Sequence, residues 1–314
     1  IGITDRHGNR IRFERDEAGN PVELQHSGGF RIRVDTEDGL VTALHLRGAA
    51  GGDDLPLMRY AYTDRRLTSV INASGQALRF DYDAQGRLTG WTDRNGIWYR
   101  YTYDSAGRCV RTEGAGGFLN GTFEYAGDVT RYTDSLGHTK VFHLNDAKQT
   151  VRETDPLGGE TTFEWDAHDR LLSRTDALGR TVRYDYGDTG EVTAITLPDG
   201  SRQLIEYDDR RLPVTIIAPD GAVTRREYDE NGNLTAVTDP ASAVTTYAYD
   251  ERGALTAITD ALGNVRRIET DAAGLPVSIT NPLGATTTYR RDAFGRVTEV
   301  IDPVGGTTRI GWTV

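Results

Sequence analysis

The segment from Tyr186 to Arg291 returns to one short phrase every 21 residues. Its clearest copy is Tyr228-Asp229-Glu230-Asn231-Gly232-Asn233-Leu234-Thr235-Ala236-Val237-Thr238-Asp239. Aromatic residues keep the interval at Trp165, Tyr186, Tyr207, Tyr228 and Tyr249, and a second register two residues earlier runs through Phe163, Tyr184, Ile205, Tyr247, Ile268, Tyr289 and Ile310. Glycines keep it too, at Gly158, Gly179, Gly200, Gly221, Gly263, Gly284 and Gly305, with Ser242 as the break. A weaker glycine series occupies Gly190, Gly232, Gly253, Gly274 and Gly295. A fixed period of this kind is the mark of a repeat architecture, and it overrides the prior of one to three globular domains that 314 residues would suggest.

Each repeat divides into strand, turn, strand, turn. Leu255-Thr256-Ala257-Ile258-Thr259 is short, Thr-rich and β-branched, and it runs into Asp260-Ala261-Leu262-Gly263, with Asp and Gly at the first and fourth places of a type I turn. Thr245-Thr246-Tyr247-Ala248-Tyr249 alternates, so that Tyr247 and Tyr249 share one face while Thr246 and Ala248 take the other, and it ends at Asp250-Glu251-Arg252-Gly253. Two such reversals per period give an antiparallel meander, since parallel crossovers would need a dozen or more linking residues. Stacked at constant register, equivalent tyrosines are expected to form aromatic ladders. On the opposite face Arg183, Arg225 and Arg267 stand two places before Asp185, Glu227 and Glu269, with Glu206 in the same acidic phase, which predicts neighbouring rows of opposite charge.

Hydrophobic residues make up only 37% of the chain, so a thick core is not expected. The formal net charge of −11 opposes nucleic-acid backbones and anionic lipid surfaces. No apolar run reaches the length of a membrane span. The single cysteine, Cys109, can form no intrachain disulfide and reads as an inert thiol. His7, His26, His45, His138, His143 and His168 form no metal motif, and His138 and His143, five apart on a predicted strand, would face opposite sides. The many aspartates are turn formers in fixed phase. Phosphate-binding and calcium-repeat motifs are absent, so no cofactor, metal or catalytic residue is assigned and the chain is not read as an enzyme. The Asn-x-Ser/Thr triplets at Asn72, Asn120 and Asn233 carry no functional weight. Off the repeat phase, Trp91, Trp98, Tyr99 and Tyr101 cluster within eleven residues and could offer a sugar-stacking platform, although aromatic enrichment is common in strands.

Residues 81–314 carry regular repeats and 1–80 degenerate ones, among them Asp16-Glu17-Ala18-Gly19-Asn20 and Asp35-Thr36-Glu37-Asp38-Gly39-Leu40. No domain boundary is evident across 1–314. The irregular stretches Gly48–Asp54 and Glu113–Gly117 read as lengthened hairpin loops. Because the chain starts at Ile1 inside a repeat phrase, it reads as an excerpt of a longer polypeptide.

Tyr82-Asp83-Ala84-Gln85-Gly86-Arg87-Leu88-Thr89, the copy at Tyr103 and the relatives at Tyr228 and Tyr249 resemble the YD repeats of the RHS family over essentially the whole chain. That family includes bacterial polymorphic toxins, the C components of insecticidal toxin complexes and animal teneurins. The resemblance implies an all-β fold of tandem 21-residue hairpins forming one long curved antiparallel sheet, here a partial shell, an arc or half-cocoon. It implies a structural shell wall that encapsulates and helps deliver a C-terminal toxin, with the toxin cargo and the remaining shell of the same polypeptide as partners. The setting implied is secreted or cell-surface, with the cytoplasm of the producer as the place before export. The alternative is a carbohydrate- or receptor-binding adhesion region. The family's self-cleavage motif has only partial echoes, at Asp155-Pro156-Leu157-Gly158-Gly159 and Asp302-Pro303-Val304-Gly305-Gly306, and both read as repeat turns.

Overall fold

The structure, a computed structural model, describes residues 1–48 and 52–312. Among them are thirty strands, from Gly2–Thr4 to Thr307–Arg309, and a single 3-10 turn at Ala115–Gly117. The protein is all-β, and strands adjacent in sequence pair antiparallel. The chain divides into two compact units, one made of Ile1–Leu78 with Arg225–Val314 and the other of Arg79–Thr224.

In both units the reversals follow one design. Asp260 opens a turn in which its carbonyl accepts from the Gly263 N–H at 2.9 Å, while its own N–H donates to the Asn264 carbonyl at 3.1 Å. Gly263 adopts φ +81°, the left-handed conformation that lets a type I turn rejoin a right-twisted hairpin. Ser242 takes the glycine position at φ 67°, a conformation that costs a residue with a Cβ about 1–2 kcal/mol. Asp155–Gly159 and Asp302–Gly306 are turns of the same kind.

Two sorts of reversal alternate. After threonine, as in Thr259-Asp260, the ladder continues without interruption, pairing Thr259 with Val265. Hydroxyl pairs lie across several of these hairpins, with Thr133 Oγ1 to Thr139 Oγ1, Thr175 to Thr181 and Thr280 to Thr286 each 2.8 Å apart. After the aromatic position, as in Tyr249-Asp250, the ladder slips by one. Tyr249 pairs with Leu255 and Ala248 with Ala257, leaving Thr256 as the extra residue of a β-bulge. The same shift recurs at Glu164/Trp165, Asp185/Tyr186, Glu206/Tyr207 and Glu227/Tyr228.

The bulge decides which residues share a face. Leu255 and Ile258 are three apart, and strict alternation would set them on opposite sides. Instead both lie across from tyrosines of one face, Leu255 from Tyr249 and Ile258 from Tyr247. The other face carries small or polar residues such as Ala194, Ser173, Ala236 and Ser278, all of them buried. The core is correspondingly thin. Val34, Ala43, Leu46, Ala194 and Ala236 are the buried apolar residues among those described, and no large side chain is wholly enclosed.

Within the first unit, turns from the beginning of the chain rest on turns from its end. His7 Nε2 lies 3.0 Å from Asn233 Oδ1, and the Asn9 side chain donates to the Arg252 carbonyl at 2.9 Å. Residues 49–51, at the centre of the expected Gly48–Asp54 loop, lie outside the described residues. The Glu113–Gly117 stretch holds the 3-10 turn between the paired strands Cys109–Gly114 and Gly121–Ala126.

Candidate functional site

The repeat phrase encodes a joint between neighbouring hairpins. Its first element is the turn carboxylate. Asp166 Oδ1 accepts from the N–H groups of His168 at 2.8 Å and Arg170 at 3.0 Å, and Oδ2 accepts from Arg170 Nε at 2.6 Å. The anchored guanidinium then covers the ring of the next repeat, 4.7 Å from the centroid of Tyr186. That tyrosine donates its hydroxyl proton to the Leu171 carbonyl at 2.8 Å, one residue beyond the arginine. Asp, Arg, Leu and the following Tyr therefore form one closed set, which accounts for the phrase Tyr-Asp-x-x-Gly-Arg-Leu. Arg87 over Tyr103 and Arg108 over Tyr125 repeat it at 4.7 and 4.6 Å, each arginine also bound to its turn aspartate.

The hydroxyl bond outlasts the arginine. Tyr207 donates to the Val192 carbonyl at 2.9 Å and Tyr249 to the Leu234 carbonyl at 3.0 Å, again fifteen residues back. Other donors use the same carbonyl position: Trp165 Nε1 reaches Thr150 at 2.9 Å, Trp312 Nε1 reaches Val297 at 2.7 Å, and Arg291 Nη2 reaches Pro276 at 2.9 Å. What the phase demands is a long side chain with a terminal donor. Burial pushes the Tyr186, Tyr207 and Tyr249 phenols above their ordinary value, which keeps them protonated donors at neutral pH.

This corrects the expected aromatic ladder. Equivalent tyrosines are one period apart, and a period is two strands, so their backbones are separated by about 9.6 Å, beyond the ~4.5–7 Å of ring contacts. The space between Tyr186 and the preceding repeat is filled by Arg170 and Leu171. Ring pairs occur elsewhere, as in Phe123 against Tyr132 at 4.9 Å. The expected rows of opposite charge meet across strands, Glu164 standing one period before Asp185 in the acidic phase. Asp185 pairs with Arg202 at 2.6 Å, while Arg183 lies 3.7 Å from Glu164. Cross-strand reach, more than the two-residue offset along one strand, chooses these partners.

The aspartates are held in their charged form by the turn itself. For Asp166 the N–H bond from Arg170 leads, opposed by partial desolvation and reinforced by the Arg170 side chain, and the carboxyl titrates at about 2. Asp104 and Asp134 are lowered first by the N–H bonds of Arg108 and His138. A carboxyl whose folded value lies below its unfolded one contributes stability that is complete above the unfolded value of about 3.9 and disappears as the pH falls through the folded value. Thermal unfolding followed by circular dichroism is thus expected to hold a steady midpoint from pH 7 to pH 5 and to drop steeply between about pH 4 and pH 2. Asp166→Asn should flatten part of that drop while keeping the turn, because Asn145 and Asn281 accept the same turn N–H bonds. Asp166→Ala should lower the midpoint at every pH.

The structure brings Trp91, Tyr99 and Tyr101 together and leaves Trp98 out. Trp91 stacks on Tyr99 with centroids 6.0 Å apart, Tyr99 meets Tyr101 edge-on at 5.2 Å, and Trp91 Nε1 lies 3.2 Å from the Tyr101 hydroxyl. Trp98 and Arg100 occupy the alternate positions of Trp98–Tyr103, with the guanidinium 5.5 Å from the indole centroid. His138 belongs to the turn Asp134–His138 and not to a strand, beside Asp134 at 3.3 Å, while His143 contacts Arg152 at 3.0 Å in the strand Thr139–Leu144. Among the described residues, no group of three His, Cys, Asp or Glu is placed to hold a metal ion, and no helix is long and apolar enough to cross a membrane.

Sequence reasoning missed a charged network in the degenerate region. Glu23, 7% exposed, accepts from Arg31 at 2.6 Å and Arg47 at 3.2 Å, and Asp54 bridges Arg33 and Arg47 at 2.9 and 3.3 Å. Burial opposes the Glu23 charge, but the bonds from Gln25, Arg31 and Arg47 outweigh it and lower its carboxyl. These ion pairs join residues 7 to 24 apart in sequence, outside any single repeat phrase. Side chains of this network border a pocket of about 660 Å³ lined also by Phe30, Leu46 and Ala293.

Comparison with known proteins agrees with this anatomy. The chain is 34% identical over 146 residues to the probable deoxyribonuclease RhsA of Dickeya dadantii (strain 3937) and 33% identical over the same length to its probable deoxyribonuclease RhsB. Each match covers 46% of this chain but only 10% of the relative, so the chain corresponds to a small part of those proteins. The crystal structure of TcdB2-TccC3-Cdc42 shares the fold over 97% of this chain and 22% of that one, at TM-score 0.57 and 14% identity, and that of TcdB2-TccC3 does so at TM-score 0.55 and 15% identity. The RHS Repeat family profile matches residues 63–97, 82–117, 145–181, 165–202, 228–265 and 271–307, more than half of the sequence, and the chain belongs to that family.

Proposed function

We propose that this chain is a length of shell wall that encloses a toxic C-terminal domain of its parent polypeptide and helps deliver it from a bacterial producer. The observation that carries the reading is the hairpin sheet, which follows the fold of the TcdB2-TccC3 structures along 97% of the chain. The names of the Dickeya relatives support it from another side. Deoxyribonuclease activity is stated of whole proteins ten times longer than the matched stretch, and that stretch is repeat sheet, which suits a container better than a nuclease. The acidic surface, at formal net charge −11, likewise disfavours DNA contact by the wall itself.

In this role the joints give the wall mechanical continuity, and the parent acts outside the producing cell or at its surface. A glycan- or receptor-binding role would rest on Trp91, Tyr99 and Tyr101, without Trp98. Limited proteolysis of the intact parent tests enclosure. The C-terminal domain is expected to resist a protease that degrades the same domain expressed alone. Equal cleavage rates for the two would overturn the proposal.

A further inference from the structure

One turn in the first unit uses a different acceptor from its neighbours. In most of the described turns the opening residue is Asp or Asn, and its side-chain oxygen accepts from the N–H two places on, as Asp5 does from His7 at 2.9 Å and Asn281 from Leu283 at 2.9 Å. His26 opens the turn His26–Phe30, and there the imidazole Nδ1 accepts from the Gly28 N–H at 3.0 Å. A backbone N–H can only donate, so this bond exists only while Nδ1 carries no proton. An aspartate keeps its acceptor across the neutral range, whereas a histidine ordinarily changes charge between about pH 8 and pH 5. Once protonated, Nδ1 faces the Gly28 N–H as donor against donor.

The same turn is a place where distant parts of the chain meet. A Cβ on Gly28 would fall 2.7 Å from the Cα of Ala273 and 2.9 Å from His26 Nδ1, so the Gly28 backbone is held between the imidazole and the turn Asp271–Leu275. Phe30, at the end of the turn, stands 3.8 Å from where a Cβ on Gly295 would lie, in the turn Asp292–Arg296. The bond to Nδ1 thus fixes the stretch of backbone that touches Ala273. Surrounding charges do not replace it. His26 borders a cavity of about 300 Å³ together with Asp5 and Arg252. Asp5 is committed to the His7 and Asn9 N–H groups, Arg252 to Asp250 at 3.2 Å, Asp271 to the Ala273 and Leu275 N–H groups, and Asp292 to Arg296 at 2.7 Å. Alternation puts Glu23 and Arg31 on the opposite face of the hairpin, with Arg10 and Arg12, which flank the cross-strand partner Ile11.

The geometry points to a pH-sensitive latch, in which protonation of His26 releases the turn His26–Phe30 from the turn Asp271–Leu275 and opens this contact while the sheet stays intact. The closed contact holds the neutral ring and the open one takes up the proton, so closure is complete above the histidine range and is lost as the pH falls through it. The neighbouring contact is built the other way. His7 Nε2 donates to Asn233 Oδ1 at 3.0 Å, because the Asn233 amide already donates to Asp229 at 2.8 Å. A second proton on His7 leaves that bond in place, beside the carboxylates of Asp5 and Asp229. The latch therefore releases at one end. It stands on this intrachain contact and does not depend on toxin enclosure.

Nitroxide labels on Ser27→Cys and Ala272→Cys, in the facing turns, read the contact in a Cys109→Ser background of the 314-residue chain. Continuous-wave spectra are expected to show dipolar broadening at about pH 7.5, and a closed-to-open ratio at least about fivefold smaller at about pH 5.5, as loss of one hydrogen bond implies. Circular dichroism should be the same at both, since repeats depend mainly on their neighbours and one contact is a small part of so long a sheet. His26→Asp restores the acceptor that most turns use and should keep the broadening at both pH values. His26→Asn should do the same, because Asn145 and Asn281 hold equivalent turns. Labels on Arg6→Cys and Glu230→Cys, across the His7 contact, should stay broadened throughout. A 27/272 pair whose broadening is indifferent to pH would overturn the inference, as would equal loss of broadening in the folded His26→Asp and His26→Asn proteins.

Discussion

Replacing Tyr207 by alanine should destabilise the protein by about 2–3 kcal/mol, the cost of exposing what a large side chain covers, and by phenylalanine about 1 kcal/mol, the worth of one hydrogen bond. Tyr207 is chosen because its joint relies on the hydroxyl bond to Val192 at 2.9 Å without an arginine over the ring. Tryptophan should cost less than alanine, since Trp165 and Trp312 show an indole N–H reaching the corresponding carbonyl. Repeats contact mainly their neighbours, so the damage should be local. Urea denaturation gives the magnitudes, and hydrogen exchange should show the lost protection concentrated in Val192–Thr196 and Arg202–Tyr207. Equal loss from phenylalanine and alanine would mean that the hydroxyl, and not the ring, makes the joint.

The turn glycines should give an effect of similar size through the backbone alone. Gly263 has φ +81° and nothing within 4 Å of where a Cβ would stand, so Gly263→Val creates no clash with another residue. It is nevertheless expected to cost at least about 2 kcal/mol, because a β-branched residue in the left-handed region exceeds the ordinary penalty. Ser242 supplies the reverse experiment at the one place where the series breaks, with φ 67°. Ser242→Gly should raise stability by roughly 0.5–1 kcal/mol, relief of strain exceeding the added freedom of the unfolded chain. Opposite signs for the two substitutions in paired thermal melts would identify backbone conformation as the reason for the glycine phase.

Much of this fold was legible in the sequence because its determinants are local and recur. Asp and Gly three apart fix most of the reversals, and Tyr247 and Tyr249 alternate onto one face. The bulge was not legible. Leu255 and Ile258 read as opposite-facing until the slip at Tyr249 brings both across from tyrosines. The role of the tyrosine phase was misread for a related reason: its partner is a backbone carbonyl fifteen residues back, which no side-chain pattern displays, and the ~9.6 Å between equivalent strands rules out the stacking that sequence periodicity suggests. Arg291 and Trp312 at the same phase were the available clue, since they share with tyrosine a terminal donor and not an aromatic ring. The Glu23 network escaped because it joins residues of several degenerate repeats.

Each 21-residue period should advance the chain by one hairpin along a continuous antiparallel ladder. Spin labels at Glu230, Ala272 and Ala293, equivalent turn positions within one unit, test it most directly in a Cys109→Ser background. Double electron–electron resonance should give narrow distributions near about 19 Å for the 230/272 pair and about 29 Å for 230/293, two and three steps of two strands each. Broad distributions, or distances that fail to grow from the first pair to the second, would contradict the account.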